Sequence, residues 1–271
     1  PLEHEYMRTF TEYQKTFGGA NRVLVALRVK GAAGDIYTPE FMRALKGATD
    51  DIFFIPGVDR ATVTSLFTPN VRFIEVVEEG FAGGNVVPAT FRGTPSDLEI
   101  VRQNVLKSGN VGRLVANDFR GALIRAELLE VDPASGQRLN YPAVAKQLEA
   151  VRAKYQSDQI DVHIIGFAKA VGDITEGAIG VLAFFAVAFV ITAILLYVYK
   201  RSLSLTVLTL VTALMPVIWL LGLLPILGYG IDPMSILVPF LIFSIGVSHA
   251  VQMTNVWQQE TEQGHDGRTA A

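Results

Sequence analysis

The sequence predicts an α+β domain followed by an all-α bundle of three membrane-spanning helices. Half of the 271 residues are hydrophobic and the mean hydropathy is positive, but the apolar residues are unevenly spread. Up to residue 172, charges occur at ordinary density and near sign balance; over 178–257 only Lys200, Arg201 and Asp232 are charged. That second region holds three apolar runs, each long enough for the roughly 20 helical residues that a hydrocarbon core of about 30 Å requires. The boundaries therefore read as 1–172, 173–257 and a tail over 258–271.

The first residues have helical character and residue 1 is proline, so a longer protein with upstream sequence, and an anchor within it, is expected. Residues 22–29 alternate apolar and polar side chains with β-branched character, which predicts a strand. Thr38-Pro39-Glu40 carries helix-start chemistry, threonine as N-cap and proline in the first turn, for a helix to about Ile52. Residues 57–65 read as turn and strand, and a loop-rich stretch with Gly80, Gly83 and Gly84 follows. Thr94-Pro95 repeats the helix-start chemistry for a helix to about Lys107. Strands are predicted near 112–116 and 121–129, a helix over 142–155 and a last strand over 162–166. Strands alternating with helices of ten to fifteen residues, about a glycine-rich middle, predict ferredoxin-like βαβ elements with helices on one face of a small sheet.

The three spans are read as 178–199, 203–224 and 234–256. Pro225 and Gly228 should end the second helix near Leu224, and Pro216 lies inside it. A proline there is tolerable in a membrane bundle, where neighbours satisfy the freed carbonyl. Lys200-Arg201 occupies the tight connection between the first two spans, and basic residues in short loops mark the cytoplasmic side. The connection through Asp232 has no Lys or Arg, so it should face outward. By alternation, residues 1–172 are expected outside the membrane, in a bacterium the periplasm, with 258–271 cytoplasmic.

A net charge of −3 without a basic stripe implies no nucleic-acid partner. The absence of cysteine excludes disulfides and thiolate chemistry. Gly80-Phe-Ala-Gly-Gly84 does not join a strand to a helix and reads as a loop or turn, not a dinucleotide fingerprint. His4 and His163 lack ligand spacing, Glu78-Glu79 reads as a solvated face, and Asp158 and Asp161 as turn residues. Neither a metal, a cofactor nor an enzymatic group-transfer step is expected.

The polar content of the third span is its most informative feature. Ser244, Ser248, Gln252 and Asn255 recur at steps of four, four and three and form one stripe, with His249 at its edge. A titratable side chain in hydrocarbon is costly, so it faces a protein interior or a wet cavity. His249, Ser248 and Gln252 are therefore candidates for a proton relay or cation-coupling site; the competing reading gives them interhelical hydrogen bonds alone. Gly246 and Ala250 form a small-xxx-small pair that admits a second helix closely. Thr206, Thr209 and Thr212 on the preceding span are placed to face the stripe. Asp173 and Glu176 read as boundary or capping residues of the first span, and Asp232 as a cap of the third.

Several stretches together resemble the resistance-nodulation-division (RND) superfamily of exporters, in the branch that includes MMPL and hopanoid-exporter proteins and, more distantly, Patched. Phe17-Gly-Gly-Ala-Asn-Arg-Val-Leu-Val25 is similar to the start of the first periplasmic domain. Ile36-Tyr-Thr-Pro-Glu40 and Pro56-Gly-Val-Asp-Arg-Ala-Thr-Val-Thr-Ser65 resemble the helix and strand after it, and Ile165-Gly-Phe-Ala-Lys-Ala-Val-Gly-Asp173 the start of the second transmembrane helix. Ile245-Gly-Val-Ser-His-Ala-Val-Gln252 falls where the fourth helix carries its signature.

The resemblance implies a porter domain followed by helices two to four of the first half. It implies an inner-membrane secondary transporter that exports hydrophobic or lipid-like molecules, with proton antiport as its drive. The implied partners are membrane lipids, a hydrophobic small-molecule substrate, the remainder of the transporter chain and a further copy in a homo-oligomer. In proton-driven members the fourth helix carries an acid in a run like Gly-Val-Asp-Tyr. Ser248 stands at that acid's place here and His249 follows it. Serine does not titrate at useful pH, whereas histidine ordinarily does so near 6.5. Coupling residing wholly in the other half is a third reading, and a non-transporting sterol-sensing-type sensor or scaffold is the alternative function.

Overall fold

The computed structural model describes residues 4–17, 21–31, 34–78, 80–132, 135–229 and 235–264. The expected Asp232 cap, the connection around it, Glu79 and the end of the tail lie outside the described residues. The chain divides into two compact units, Pro1–Asp173 and Ile174–Ala271.

The first unit is a mixed α/β region. After helix α1 (Glu5–Phe17), strand β1 (Arg22–Val29) leads to helix α2 (Pro39–Phe53) and strand β2 (Val58–Thr64). Strands β3 (Arg72–Val77) and β4 (Gly80–Asn85), helix α3 (Pro95–Lys107), strand β5 (Gly121–Leu128), helix α4 (Tyr141–Tyr155) and strand β6 (Ile160–Gly166) complete it. The main sheet has four strands in the order β2-β5-β1-β6, and each pairing is antiparallel.

One face of this sheet is buried. Val23, Val25 and Leu27 of β1, Ile124 and Ala126 of β5 and Val162 of β6 point into a core with Phe41, Met42, Leu45 and Ile52 of α2 and Leu148 of α4. A fully buried Leu, Ile or Phe contributes about 1.5–3 kcal/mol relative to its exposed state. Both helix starts follow the sequence chemistry. Thr38 accepts from the Phe41 amide, and Thr94 forms a capping box with Asp97. Hydrogen bonds from the Arg92 and Thr94 backbone amides hold the Asp97 carboxyl below its ordinary pKa.

Two segments depart from expectation. The glycine-rich stretch is not a loop: Gly80–Asn85 pairs in register with Arg72–Val77 as a hairpin. A Cβ at Gly83 would lie 2.6 Å from the Phe73 carbonyl oxygen, so close backbone approach requires the glycine. Residues 112–116 make isolated bridges rather than a strand, because Gly112 turns the chain with φ +81° and donates to the Val115 carbonyl at 2.7 Å. Asp161 lies within β6, where it pairs with Lys30 at 3.3 Å, rather than in a turn.

Polar contacts outside the sheet core are specific. Arg102 pairs with Asp35 and stacks over the Tyr37 ring, 4.6 Å from its centroid. The Tyr37 hydroxyl is buried without a hydrogen-bond partner among the described residues, and burial pushes its pKa up to about 12. Across β1 and β5, Arg22 donates to Glu127 at 3.0 Å and holds that carboxyl below its ordinary pKa.

The second unit is helical. Helix α5 (Phe167–Lys200) has its first residues in the α/β unit; helices α6 (Leu203–Ile226) and α7 (Val238–Glu262) follow, α7 preceded by a single 3-10 turn. All three are long and apolar enough to cross a membrane. Phe184, Leu182, Ile179 and Trp219 are all more than 60% exposed. Apolar side chains on the outside of helices belong in lipid. Helix α6 continues through Pro216 and reaches Ile226, two residues past the expected end, so Pro225 lies inside its last turn. Its core contact is with α7, through Leu210, Ala213, Val217 and Phe243.

Candidate functional site

Helix α7 has two faces. The inner face presents Phe243, Ala250 and Thr254, all buried. Gly246 lies on this face. A Cβ there would stand 3.1 Å from Ala213 Cα and 3.2 Å from Ala213 O, which shows how closely the α6 backbone passes. Gly246 thus lies at the α6–α7 crossing, and Ala250 is buried one turn further along the same face. Phe185 and Phe189 of α5 pack edge-on or tilted on Phe243, with centroids 5.3 and 5.6 Å apart.

The outer face presents Ser244, Ser248, His249 and Gln252, all exposed. The helical spacing holds: these polar residues lie together, and His249 is near the middle of α7. The expected meeting with the α6 threonines does not occur. Thr206 and Thr209 are buried and donate to the carbonyls of Ser202 and Leu205, and exposed Thr212 donates to that of Leu208. Asn255, the last member of the stripe, instead accepts from Lys200 and donates to Tyr199 at 3.2 Å.

Two further features were not legible in the motifs. An apolar recess of about 410 Å³ is lined by Ile174, Ala178 and Phe185 of α5, Val217 and Leu221 of α6, and Phe240 of α7. Its wall chemistry suits a hydrophobic molecule and offers almost no polar anchor. Within the α/β unit, Lys169 is buried between Glu149 of α4, at 2.9 Å, and Asp173. Asp173 is the boundary residue expected, the last of the α/β unit, and the i+4 partner of Lys169; neither it nor Glu176 caps α5, which begins at Phe167. Its spacing in Lys-Ala-Val-Gly-Asp was the available signal. Among the described residues, no cluster of His, Asp and Glu has the arrangement to hold a metal ion.

No curated protein matches the chain. The family model Patched, described as Patched SSD, matches residues 171–269, which hold α6, α7 and all but the first four residues of α5. This domain occurs in RND- and MMPL-type proteins and in sterol-sensing proteins, which are membrane transporters or sensors rather than typical enzymes. Three helices long and apolar enough to span a bilayer, together with that match, indicate a membrane protein whose residues 171–269 are similar to the Patched SSD domain.

Proposed function

We propose that this chain is part of a proton-driven secondary exporter of hydrophobic or lipid-like molecules in a bacterial inner membrane. In this reading residues 1–172 form the periplasmic porter domain, 173–257 carry transmembrane helices two to four, and 258–271 are cytoplasmic. The sheet order β2-β5-β1-β6, with helices in the crossovers, supports the ferredoxin-like character of the porter domain. Lys200-Arg201 between α5 and α6 supports the orientation.

The observation that carries the proposal is the outer face of α7. Ser248, His249 and Gln252 sit exposed near the middle of a helix long and apolar enough to span a membrane. Hydrocarbon does not tolerate that set, so the remainder of the transporter or a wet cavity covers it. A titratable group at such a junction between moving parts can exchange protons with one side at a time. His249 then takes the role of the usual acid, Ser248 and Gln252 supply the polar surroundings on its face of the helix, and Gly246 keeps α6 close.

The test compares the intact protein with His249→Ala and Ser248→Ala in proteoliposomes, measuring export while the pH gradient is varied. Loss of gradient dependence in the histidine variant, with the protein still folded, supports the relay. Unchanged gradient dependence assigns His249 a structural role. A second reading, a sterol-sensing-type sensor, is favoured by the apolar recess among α5, α6 and α7. It predicts saturable ligand binding and no net movement of ligand across the vesicle wall.

A further inference from the structure

Lys200 closes α5 and is 7% exposed. Its Nζ donates to the neutral Asn255 amide and lies 5.7 Å from the Tyr199 ring centroid. Among the described residues no carboxylate lies within ion-pairing reach of it. A buried ammonium with only neutral partners retains a large part of its desolvation cost, and an anion removes it.

The next residue adds a second, independent indication. Arg201 has φ +49°, one of two non-glycine residues in the described chain with positive φ. Its amide closes the end of α5 on the Tyr197 carbonyl at 2.8 Å. Glycine is the residue ordinarily used at such a left-handed cap, and a bulky side chain there is strained. The guanidinium is exposed and also has no carboxylate partner among the described residues. Two adjacent, unneutralised cations thus sit at the end of an apolar span, one buried and one in a conformation that favours its absence. Immediately beyond them α6 begins, with Ser202 as N-cap, and a helix start favours negative charge.

We propose that Lys200 and Arg201, positioned by Asn255 and Tyr199, bind the phosphate of an anionic phospholipid at the α5–α6 turn. The chemistry recognised is a phosphate anion. The lipid source follows from the site's place at the end of two membrane-length helices, where headgroup phosphates lie. The bound lipid neutralises Lys200 and ties α5, through Asn255, to the end of the helix that carries His249. The inference rests on the helices crossing a bilayer and not on transport, so it stands or falls separately from the exporter reading.

Binding of dioleoylphosphatidylglycerol, dioleoylglycerol and inorganic phosphate to the intact protein in phosphate-free detergent tests this, by native mass spectrometry and competition. The variants are Arg201→Gly and Lys200→Gln. Glycine suits the positive φ, so Arg201→Gly is expected to fold at least as well as the parent and keeps the test decisive. The parent is expected to prefer phosphatidylglycerol to the uncharged diacylglycerol. Each variant should lose about fivefold in that preference, the factor for about 1 kcal/mol per basic residue at an anionic surface. An unchanged preference in Arg201→Gly, or no preference in the parent, overturns the proposal. Displacement of the lipid by millimolar inorganic phosphate would assign the site to a free ion and overturn the lipid source.

Discussion

Among the described glycines of the helical unit, Gly246 alone has neighbours within 4 Å of an added Cβ, and this sets a quantitative expectation. An added Cβ would meet Ala213 Cα at 3.1 Å, its carbonyl oxygen at 3.2 Å and its Cβ at 3.4 Å. Carbon atoms rest at about 3.5–4.0 Å, so Gly246→Ala requires α6 and α7 to part by about half an ångström. Ala213 is 0% exposed and the obstructing atoms are largely backbone, which leaves no flexible side chain to yield. Gly246→Leu adds three more carbons and should cost about 1–3 kcal/mol, the usual range for overpacking. Gly222 and Gly180 provide controls, because nothing lies within 4 Å of a Cβ at either. Unfolding of the intact protein by increasing SDS in mixed micelles, followed by circular dichroism, reads the difference. The expected order is parent and Gly222→Leu together, then Gly246→Ala, then Gly246→Leu as the least stable. If Gly246→Leu unfolds at the same SDS fraction as Gly222→Leu, the close α6–α7 packing described here is wrong.

Other consequences concern the α/β unit. Tyr37→Phe should be neutral or stabilise the fold by up to about 1–3 kcal/mol, because a buried hydroxyl without a partner carries its desolvation cost. Burial holds the Tyr37 pKa up to about 12, above its unfolded value, so ionisation leaves stability unchanged below about pH 10 and lowers it as pH rises from there towards 12. Denaturant midpoints across that window should fall less steeply for Tyr37→Phe than for the parent. Glu127 behaves oppositely: Arg22 depresses its pKa, so its contribution is present above the ordinary carboxylate range and is lost as pH falls through the folded value. Arg22→Ala should therefore weaken resistance to acid, read as a higher pH of acid unfolding. Thr94→Ala removes the α3 capping box and should cost about 1 kcal/mol in denaturant titration, whereas Thr94→Asn should restore most of it.

The parts of the fold that were legible in the sequence are those governed by local chemistry. Thr38 and Thr94 announced their helices because an N-cap hydroxyl and a following proline act within one turn. The three spans were legible because lipid imposes one requirement along their whole length. The β3–β4 hairpin was hidden because Gly80, Gly83 and Gly84 read as turn residues, while their role is to let β4 lie close to the Phe73 backbone. That requirement comes from the partner strand and leaves no periodic mark. At the candidate site, periodicity placed Ser248, His249 and Gln252 on one face, and they lie on one face. Periodicity did not say which neighbour the face meets, and the α6 threonines satisfy their own helix instead. The pairing of Lys200 with Asn255 joins residues 55 positions apart and was outside the reach of any local pattern.

The central claim is that this chain belongs to a machine that moves a hydrophobic molecule across a bilayer at the expense of a proton gradient. Simultaneous recording of internal pH and of a fluorescent long-chain lipid in proteoliposomes of the intact protein tests it most directly. The account predicts that an imposed gradient drives net lipid movement and that each transport cycle returns protons, so that movement and pH change stop together when a protonophore is added. Saturable lipid binding with neither net movement nor proton flux would contradict it and leave the sensor reading in its place.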